Sequence, residues 1–408
     1  MAVPDMNWKI IAIAAVVIVA AVAIVIIAVN MNSNNDDKND DLPKFNITGQ
    51  TDLEGNFFIS FVYSKNIIML DGKGNVVWSK HEDTPSDGPQ LGYWDFKKHV
   101  IDGKVYYSYH DQNPNGDKLG IEGFAPGERV ILDSNFNEVK RITMEHSDTV
   151  EKGHYLDGHD FLLIDLDHYI MSTYLKARVY NIPGYPDGSN VIYSYLQEVQ
   201  NGEVLWDWKS IDYPELYSLT VTDAVATAND FANEKVDAPD YVHFNAMRLK
   251  DDGTLVCSFR HLNTIMGLDR TTETDQILWK LSGKDDEFGL TDEQKTSSQH
   301  YVTIDGDTIR AFDNHNITEE TRVVSYKIDW DNMELAENGF NSYRVDGKFS
   351  SACGAQQLIK DETFMLGWGK SENDGVCMCV YDFATNKELI RMTLDIPQNF
   401  TYRCVYYD

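Results

Sequence analysis

The stretch YVHFNAMRLKDDGTLVCSFRH, residues 241–261, has the pattern of a β-hairpin. The segment from His243 to Leu249 is rich in strand-forming residues, and the Asp-Asp-Gly run at 251–253 is a strong turn signal. The segment from Thr254 to Arg260 predicts the returning strand, because Leu, Val and Phe dominate it. The sequence therefore predicts two antiparallel strands, with a histidine where the first begins and an arginine where the second ends.

If the turn is centred on residues 251–252, His243 faces Arg260 directly across the pair. Opposite Cβ atoms in such a ladder lie about 4.5–5.5 Å apart. An imidazole beside a planar guanidinium suits an anionic, oxygen-rich group. For one such pair alone, the alternative is a surface arginine next to a core histidine. If the strand continues past Arg260, His261 should face away from it.

The same hairpin recurs when other segments are aligned on their turns, namely Tyr93–Ser108, His159–Ser172, His300–Asp313 and Cys353–Trp368. A second recurring signature is a strand that ends in tryptophan, as at Trp78, Trp206 and Trp279. Units of roughly 40–60 residues with several strands each are typical of a β-propeller, and about six can be counted. A long sandwich would not explain why whole hairpins recur. We therefore predict an all-β, six-bladed β-propeller in which the run 400–407 pairs with an N-terminal strand to complete a blade.

In a propeller the first strand of each blade lines the central channel, so equivalent starting positions converge there. His159, His243 and His300 hold this position in three units, and Tyr93 holds it in a fourth. We predict that the three histidines share one pocket with Arg260. The remaining histidines are predicted to be structural: His81, His99, His110, His146, His154, His168, His261 and His315.

The chain of 408 residues carries a formal net charge of −30. Such a charge excludes nucleic acid as a partner, because phosphate binding needs a basic footprint. It also means that any site for an anion must carry its own local cations. Hydrophobic residues make up 42% of the chain, which is ample for a large buried core.

The N-terminus is predicted to be separate from the propeller. Residues 8–29 are almost entirely Ile, Val and Ala, with one charge, and about 20 apolar residues suffice to span a bilayer. We expect a cytoplasmic segment at 1–7, a transmembrane signal anchor at 8–29, a polar tether at 30–41 and the propeller at 42–408. The propeller would then lie on the extracytoplasmic side of the cell membrane, held by a single-pass anchor.

Five cysteines fall in strand-like runs: Cys257, Cys353, Cys377, Cys379 and Cys404. A disulfide among the last four is possible in an oxidising location, and burial as small apolar residues is the better prediction for most of them. The CxxC spacing typical of a thiolate zinc site is absent from the sequence.

From about Leu42 onward the chain resembles the bacterial arylsulfate sulfotransferases that work without a nucleotide sulfate donor. The segments that carry the resemblance are GHDF at 158–161, VHFN at 242–245, SFRH at 258–261, ILWKLSGK at 277–284, FGL at 288–290, QH at 299–300 and FDN at 312–314. The resemblance implies a six-bladed propeller and sulfuryl transfer from a phenolic sulfate ester to a phenol. It also implies a ping-pong mechanism through a covalent sulfohistidine.

By motif position, His300 resembles the nucleophile of that family, and His159, His243 and Arg260 resemble its anion-stabilising and proton-handling set. Asn245 is a further candidate for binding substrate, as is Tyr93, whose ring could stack on the phenol. The scheme needs no organic cofactor and no metal; three histidines could hold zinc, but the adjacent Arg260 disfavours a second cation. Two alternatives stay open: a membrane-tethered propeller that only binds its partner, and a quinoprotein-like propeller.

Overall fold

The computed structural model describes residues 42–84, 91–116, 119–121, 123–221, 238–372, 375–395 and 400–408. The chain divides into two compact units, Met1–Pro43 and Lys44–Asp408. All the strands given below belong to the second unit.

The strands of the first half of the chain, in order, are β1 (Phe45–Gly49), β2 (Asn56–Phe61), β3 (Asn66–Asp71), β4 (Val76–His81), β5 (Tyr93–Ile101), β6 (Lys104–Gln112), β7 (Pro126–Leu132), β8 (Glu138–Ile142), β9 (Leu156–Asp157), β10 (Leu162–Asp165), β11 (His168–Val179), β12 (Ser189–Gln200) and β13 (Glu203–Lys209). Those of the second half are β14 (Phe244–Leu249), β15 (Leu255–Phe259), β16 (Thr264–Leu268), β17 (Ile277–Leu281), β18 (His300–Asp305), β19 (Thr308–Asp313), β20 (Arg322–Asp329), β21 (Glu334–Arg344), β22 (Ala355–Lys360), β23 (Thr363–Gly367), β24 (Val376–Asp382), β25 (Lys387–Leu394) and β26 (Thr401–Tyr407). In the same residues, helical structure is limited to the 3₁₀ turns Ser210–Asp212 and Arg260–Leu262 and the short helix Leu216–Leu219.

Within the described residues the strands group into six antiparallel units of four neighbouring strands, and the first two units belong to one larger sheet, in which β9 also pairs with β7. Their orders, from the inside outward, are β26-β2-β3-β4, β5-β6-β7-β8, β10-β11-β12-β13, β14-β15-β16-β17, β18-β19-β20-β21 and β22-β23-β24-β25. Strand β1 adds to the outer edge of the sixth sheet through β25. One pairing, of Phe61 with Tyr93, joins the first sheet to the second.

The innermost strands of successive sheets contact one another, which arranges the sheets as the blades of a β-propeller. Such contacts join β26 to β5, β5 to β10, β14 to β18, β18 to β22 and β22 to β26. The third and fourth sheets meet where Asp160 accepts a hydrogen bond of 2.9 Å from the amide of Met247. The expected pairing of the run 400–407 with an N-terminal strand is found, since β26 pairs with β2.

The burial of each strand follows its place in the sheet. In the fourth sheet, the second strand from the inside, β15, is buried along its whole length. The outermost strand, β17, has exposed and partly buried residues as well as buried ones. On β17 the side chain of Leu278 is exposed, and that of Trp279 is buried against Gly267, where a Cβ would lie 2.2 Å from the indole. The Trp-ended strand signature is therefore the outer strand that covers its blade.

The predicted fold class was wrong in one part, the N-terminal transmembrane helix. Among the residues that the structure describes, no helix has both the length and the apolar composition that a bilayer crossing needs. The residues on which that helix was placed, 8–29, lie outside the described part, as do the predicted cytoplasmic segment 1–7 and the predicted tether 30–41. The prediction rested on hydropathy alone, which measures how apolar a segment is and does not establish that it forms a spanning helix.

All five cysteines are free thiols, so the disulfide considered among the last four is not formed. Four of them are buried, and Cys353 is partly exposed. The prediction of small buried side chains holds for Cys257, Cys377, Cys379 and Cys404.

Candidate active site

His300, the first residue of β18, is held in one orientation by hydrogen bonds to its ring. Its Nδ1 donates to Oδ1 of Asn314 at 2.6 Å, and the Asn314 amide is fixed in turn because its Nδ2 donates to the carbonyl of Ser350 at 2.8 Å. Its Nε2 accepts a hydrogen bond of 3.3 Å from the amide of Cys353. Burial and then the charge of Arg260 lower the pKa of His300 well below its ordinary value. The imidazole is therefore neutral, with the lone pair on Nε2.

Arg260 begins the 3₁₀ turn that follows β15, and its amide donates to the carbonyl of His243 at 2.8 Å. The two residues are thus neighbours across the end of the hairpin. Burial lowers the pKa of His300, and the guanidinium charge of Arg260 lowers it further. Burial raises the pKa of the Cys353 thiol to about 12, and the charge of Arg260 opposes that rise. Arg260 therefore supplies a positive charge that acts on the His300 imidazole.

His159 and His243 form a pair whose rings lie 5.0 Å apart, nearly perpendicular to each other. Each ring is oriented by a buried carboxylate: Nδ1 of His159 lies 2.6 Å from Oδ2 of Asp157, and Nδ1 of His243 lies 2.5 Å from Oδ2 of Asp240. With Nδ1 donating in this way, the nitrogen through which each imidazole can gain or lose a proton is Nε2. Both histidines contribute to the lowering of the pKa of His300, so the three imidazoles share one region.

The two orienting carboxylates were missed in the sequence, although a local signal was present. Asp157 and Asp240 lie two and three residues before His159 and His243. Each also bonds the backbone amide of its histidine, so the aspartate and the imidazole belong to one compact loop. A search for an aspartate within the three residues before each histidine that starts a blade would have identified both residues.

His261 lies in the site, contrary to the expectation that it faces away. Its ring stacks on that of His243, with centroids 4.5 Å apart. The strand ends at Phe259, and Asn263 adopts a left-handed conformation (φ +55°), so the alternation of side chains does not continue. Burial, followed by the charge of His243, lowers the pKa of His261 to about 3, so this imidazole is neutral.

Asp240, His243 and His261 also offer atoms close enough together to ligate a cation. However, Nδ1 of His243 donates to the Asp240 carboxylate at 2.5 Å, and Nδ1 of His261 donates to the Asp240 carbonyl at 2.6 Å. These protons occupy the nitrogen atoms that a metal would need. The geometry therefore favours a hydrogen-bonded triad over a metal centre.

Aromatic rings surround His159. Those of Trp94, Tyr174 and Tyr402 have centroids 5.7, 5.8 and 5.7 Å from the imidazole. Phe124 in turn packs edge-on against Tyr174 at 5.7 Å. This wall of rings gives the histidines an apolar, aromatic surrounding.

Tyr93, a predicted substrate-binding residue, is not brought to this wall. Its hydroxyl donates to Glu82 at 2.7 Å, and its ring packs on Tyr109. The neighbouring residue Trp94 contacts His159 instead. The register of β5 shifts between Trp94 and Lys97, where Asp95 has a positive φ of 49°, so the alignment by turns was off by one at this blade.

Asn245 lies beneath the site and is completely buried. Its Nδ2 donates to the carbonyl of Gln299 at 2.7 Å, and its own carbonyl accepts from Arg403 at 2.7 Å. Among the described residues its Oδ1 has no hydrogen-bond partner. Asn245 thus links the strand that carries His243 to the residue that precedes His300.

Several buried histidines make the stability of the fold dependent on pH. Burial lowers the pKa of His99 to about 3, of His110 to about 4 and of His261 to about 3. The unfolded chain binds these protons near pH 6.5, so below that value it holds more protons than the folded chain. We expect the free energy of unfolding to fall between pH 6.5 and 5, by about 1.4 kcal/mol per pH unit for each histidine.

Urea denaturation at pH 7, 6 and 5 measures this dependence. A His146→Ala variant is the control, because that side chain is largely exposed. It should leave the slope unchanged. A midpoint that stays constant from pH 6.5 to 5 would contradict the expectation.

Comparison with known proteins identifies the family. Residues 113–373, more than half of the chain, match the family "Arylsulfotransferase (ASST)", and this range contains His159, His243, Arg260, His261 and His300. No curated protein matches the chain.

Three solved structures illustrate the likeness of fold. A protein of unknown function from Bacteroides caccae is 8% identical, with a TM-score of 0.45, over 87% of this chain and 99% of that one. The periplasmic gluconolactonase PpgL of Pseudomonas aeruginosa is 11% identical, with a TM-score of 0.44, over 87% and 99%. A virginiamycin B lyase from Staphylococcus aureus is 11% identical, with a TM-score of 0.31, over 86% and 99%. At these values the likenesses carry no argument about function. The family match, by contrast, is informative about function: the chain belongs to the arylsulfotransferase (ASST) family, and its general function is that of a sulfotransferase.

Proposed function

We propose that this protein transfers a sulfuryl group from an aryl sulfate ester to a phenol, through a covalent sulfohistidine on His300 and without a nucleotide donor. The observation that carries the proposal is the state of His300. Asn314 holds the Nδ1 proton, which leaves a neutral ring with its lone pair on Nε2, next to Arg260. A neutral imidazole fixed in this tautomer is a competent nucleophile.

In the first displacement, Nε2 of His300 attacks the sulfur of the ester, and the bond from sulfur to the aryl oxygen breaks. The phenolate leaves with the electron pair of that bond. It takes the Nε2 proton of a protonated imidazole of the pair His159 and His243, whose Nδ1 atoms are held by Asp157 and Asp240. Arg260 offsets the negative charge on the sulfuryl oxygens in the transition state.

In the second displacement, the hydroxyl oxygen of the acceptor phenol attacks the same sulfur, and the nitrogen–sulfur bond breaks. The electron pair returns to Nε2 of His300, and the phenol proton passes to the imidazole that gave one up. Every atom and proton is thereby restored. The ring wall of Trp94, Tyr174 and Tyr402 gives both aryl groups an apolar surface beside the reacting sulfur.

A colorimetric assay with p-nitrophenyl sulfate as donor and phenol as acceptor tests the proposal. We expect nitrophenolate release that depends on phenol, with the parallel double-reciprocal lines of a ping-pong mechanism. Release that is independent of phenol would indicate hydrolysis. No release with any phenol, together with reversible binding of the aryl sulfate, would favour a propeller that only binds, and a quinoprotein-like propeller would instead show the absorption of a bound chromophore.

Gly123 allows a separate test of the site, because it lies against the imidazole pair. A Cβ placed on it would lie 3.1 Å from Cε1 and 3.4 Å from Nε2 of His243, and its φ is +86°. We expect Gly123→Ala to lower kcat/KM by roughly 10–100-fold, because the added methyl displaces the ring that handles the proton. Gly120→Ala is the matched control, since Gly120 has a similar φ of +77° and nothing within 4 Å of its Cβ position. Equal activity of the two variants would show that the methyl at position 123 does not disturb the reaction.

A further inference from the structure

A cluster of charged side chains lies buried in the propeller on the far side of Asn245. Lys97 contacts both carboxylates of the cluster, Asp95 at 2.9 Å and Asp160. Arg403 also bridges them, with Nη1 at 2.7 Å from Asp95 and 3.3 Å from Asp160. Arg129 lies 2.9 Å from Asp95, and Arg248 lies 3.0 Å from Asp160. The cluster thus joins two carboxylates to four cationic side chains.

The cluster carries an excess of positive charge. Burial lowers the pKa of Lys97, but a guanidinium keeps its proton in proteins. Even with Lys97 neutral, three arginines face two carboxylates. Five of the six side chains are at most 6% exposed, and Arg248 is 18% exposed. An uncompensated charge in such surroundings is costly.

The other titratable groups around the cluster add no negative charge. Burial lowers the pKa of His99, so this imidazole is neutral. Burial raises the pKa of Tyr301, of Tyr407 and of the Cys257 thiol, so these groups keep their protons at neutral pH. Among the described residues, the charge excess is therefore not balanced by the protein itself.

One of the arginines also has an unused donor. Nε of Arg403 is buried and has no hydrogen-bond partner among the described residues, although Nη2 donates to the Asn245 carbonyl at 2.7 Å. Arg248, which is 18% exposed, donates through Nη1 to Asp160 and to the carbonyl of Met247. Both guanidinium groups lie over the ring of Tyr301, at 4.5 and 4.8 Å from its centroid. The unused donor of Arg403 and the excess charge therefore occur at one place.

We propose that this place, between Arg248, Arg403 and Tyr301, is a binding site for a small monovalent anion such as chloride. The ion supplies the missing negative charge and accepts a hydrogen bond from the Nε–H group of Arg403. A water molecule could accept those hydrogen bonds but would leave the charge unbalanced. The site is separate from the sulfuryl-transfer pocket, since it uses none of the histidines and does not include Arg260.

The test uses the full-length protein and chloride as the probe. Thermal unfolding is followed during titration with potassium chloride, with potassium gluconate keeping the ionic strength constant. We expect a saturable rise in Tm with chloride, and an excess broadening of the ³⁵Cl NMR line that bromide reverses. Arg248→Met should lose both responses, whereas Arg344→Met, a substitution on the surface, should keep them.

Arg260→Ala distinguishes this site from the pocket of the proposed reaction, and it should retain the full chloride response. A Tm that is the same in chloride and gluconate, or an Arg248→Met protein that responds like the parent, would overturn the proposal. If Arg248→Met does not fold, the ³⁵Cl line of the parent protein decides, and the absence of bromide-sensitive broadening overturns the proposal. Loss of the chloride response in Arg260→Ala would place the ion in the sulfuryl pocket and would also overturn it.

Discussion

His300→Ala is expected to abolish the covalent labelling of the protein by donor sulfate and to lower turnover by roughly four orders of magnitude or more. The imidazole of His300 provides the only bond between the protein and the sulfuryl group in the proposed intermediate, so its loss removes both half-reactions. Donor labelled with ³⁵S, followed by denaturation and gel electrophoresis, measures the intermediate directly. Release of nitrophenolate measures turnover on the same preparation.

Two controls make the result specific. His146→Ala changes a largely exposed histidine and should retain both labelling and turnover. An unchanged unfolding midpoint of His300→Ala would show that the pocket is intact apart from the missing ring. Covalent labelling that persists in the variant would refute the assignment of His300 as nucleophile.

The second large effect is expected from Arg260→Ala, which should lower kcat by about 10²–10³-fold while the protein stays folded. Burial and then the positive charge of Arg260 lower the pKa of His300, and the same charge would face the sulfuryl oxygens. Both displacements should become slower, because the same negatively charged sulfuryl oxygens are present in the transition state of each. Single-turnover labelling and steady-state turnover, measured side by side, check this.

Arg260→Lys is the matched variant, since it keeps the charge and removes the planar fork of donors. An activity between those of the parent and the alanine variant would separate the contribution of charge from that of geometry. A kcat for Arg260→Ala equal to that of the parent would remove Arg260 from the site.

The all-β architecture was accessible from the sequence because the hairpins repeat with their turns in register. Asp-Asp-Gly at 251–253 and Asp-Gly at 102–103 fix the hairpin register, so the starting residue of each inner strand can be read off by counting. That counting led to His159, His243 and His300. Counting failed at two places where a strand is irregular. At Asp95, which has a positive φ, the residue that reaches the site is Trp94 and not the predicted Tyr93. After Phe259 a 3₁₀ turn replaces the strand and brings His261 into the site.

Contacts between different blades could not be predicted by counting residues from a hairpin turn. Asn314 holds His300, and Tyr402 donates its hydroxyl to the carbonyl of His159 at 2.7 Å across 243 positions of the chain. Such partners depend on how sheets pack, and periodicity within one hairpin contains no information about that. The buried ion cluster is of the same kind, since its members come from several blades.

The strand Thr401–Tyr407 closes the ring and also supplies two supports of the pocket, the Tyr402 hydroxyl and the Arg403 guanidinium. A polypeptide still emerging from the ribosome, or one clipped by a protease before Thr401, lacks both of these supports. We therefore expect the histidine pocket to be completed only after translation has passed this strand, and chains that end before it to lack sulfotransferase activity.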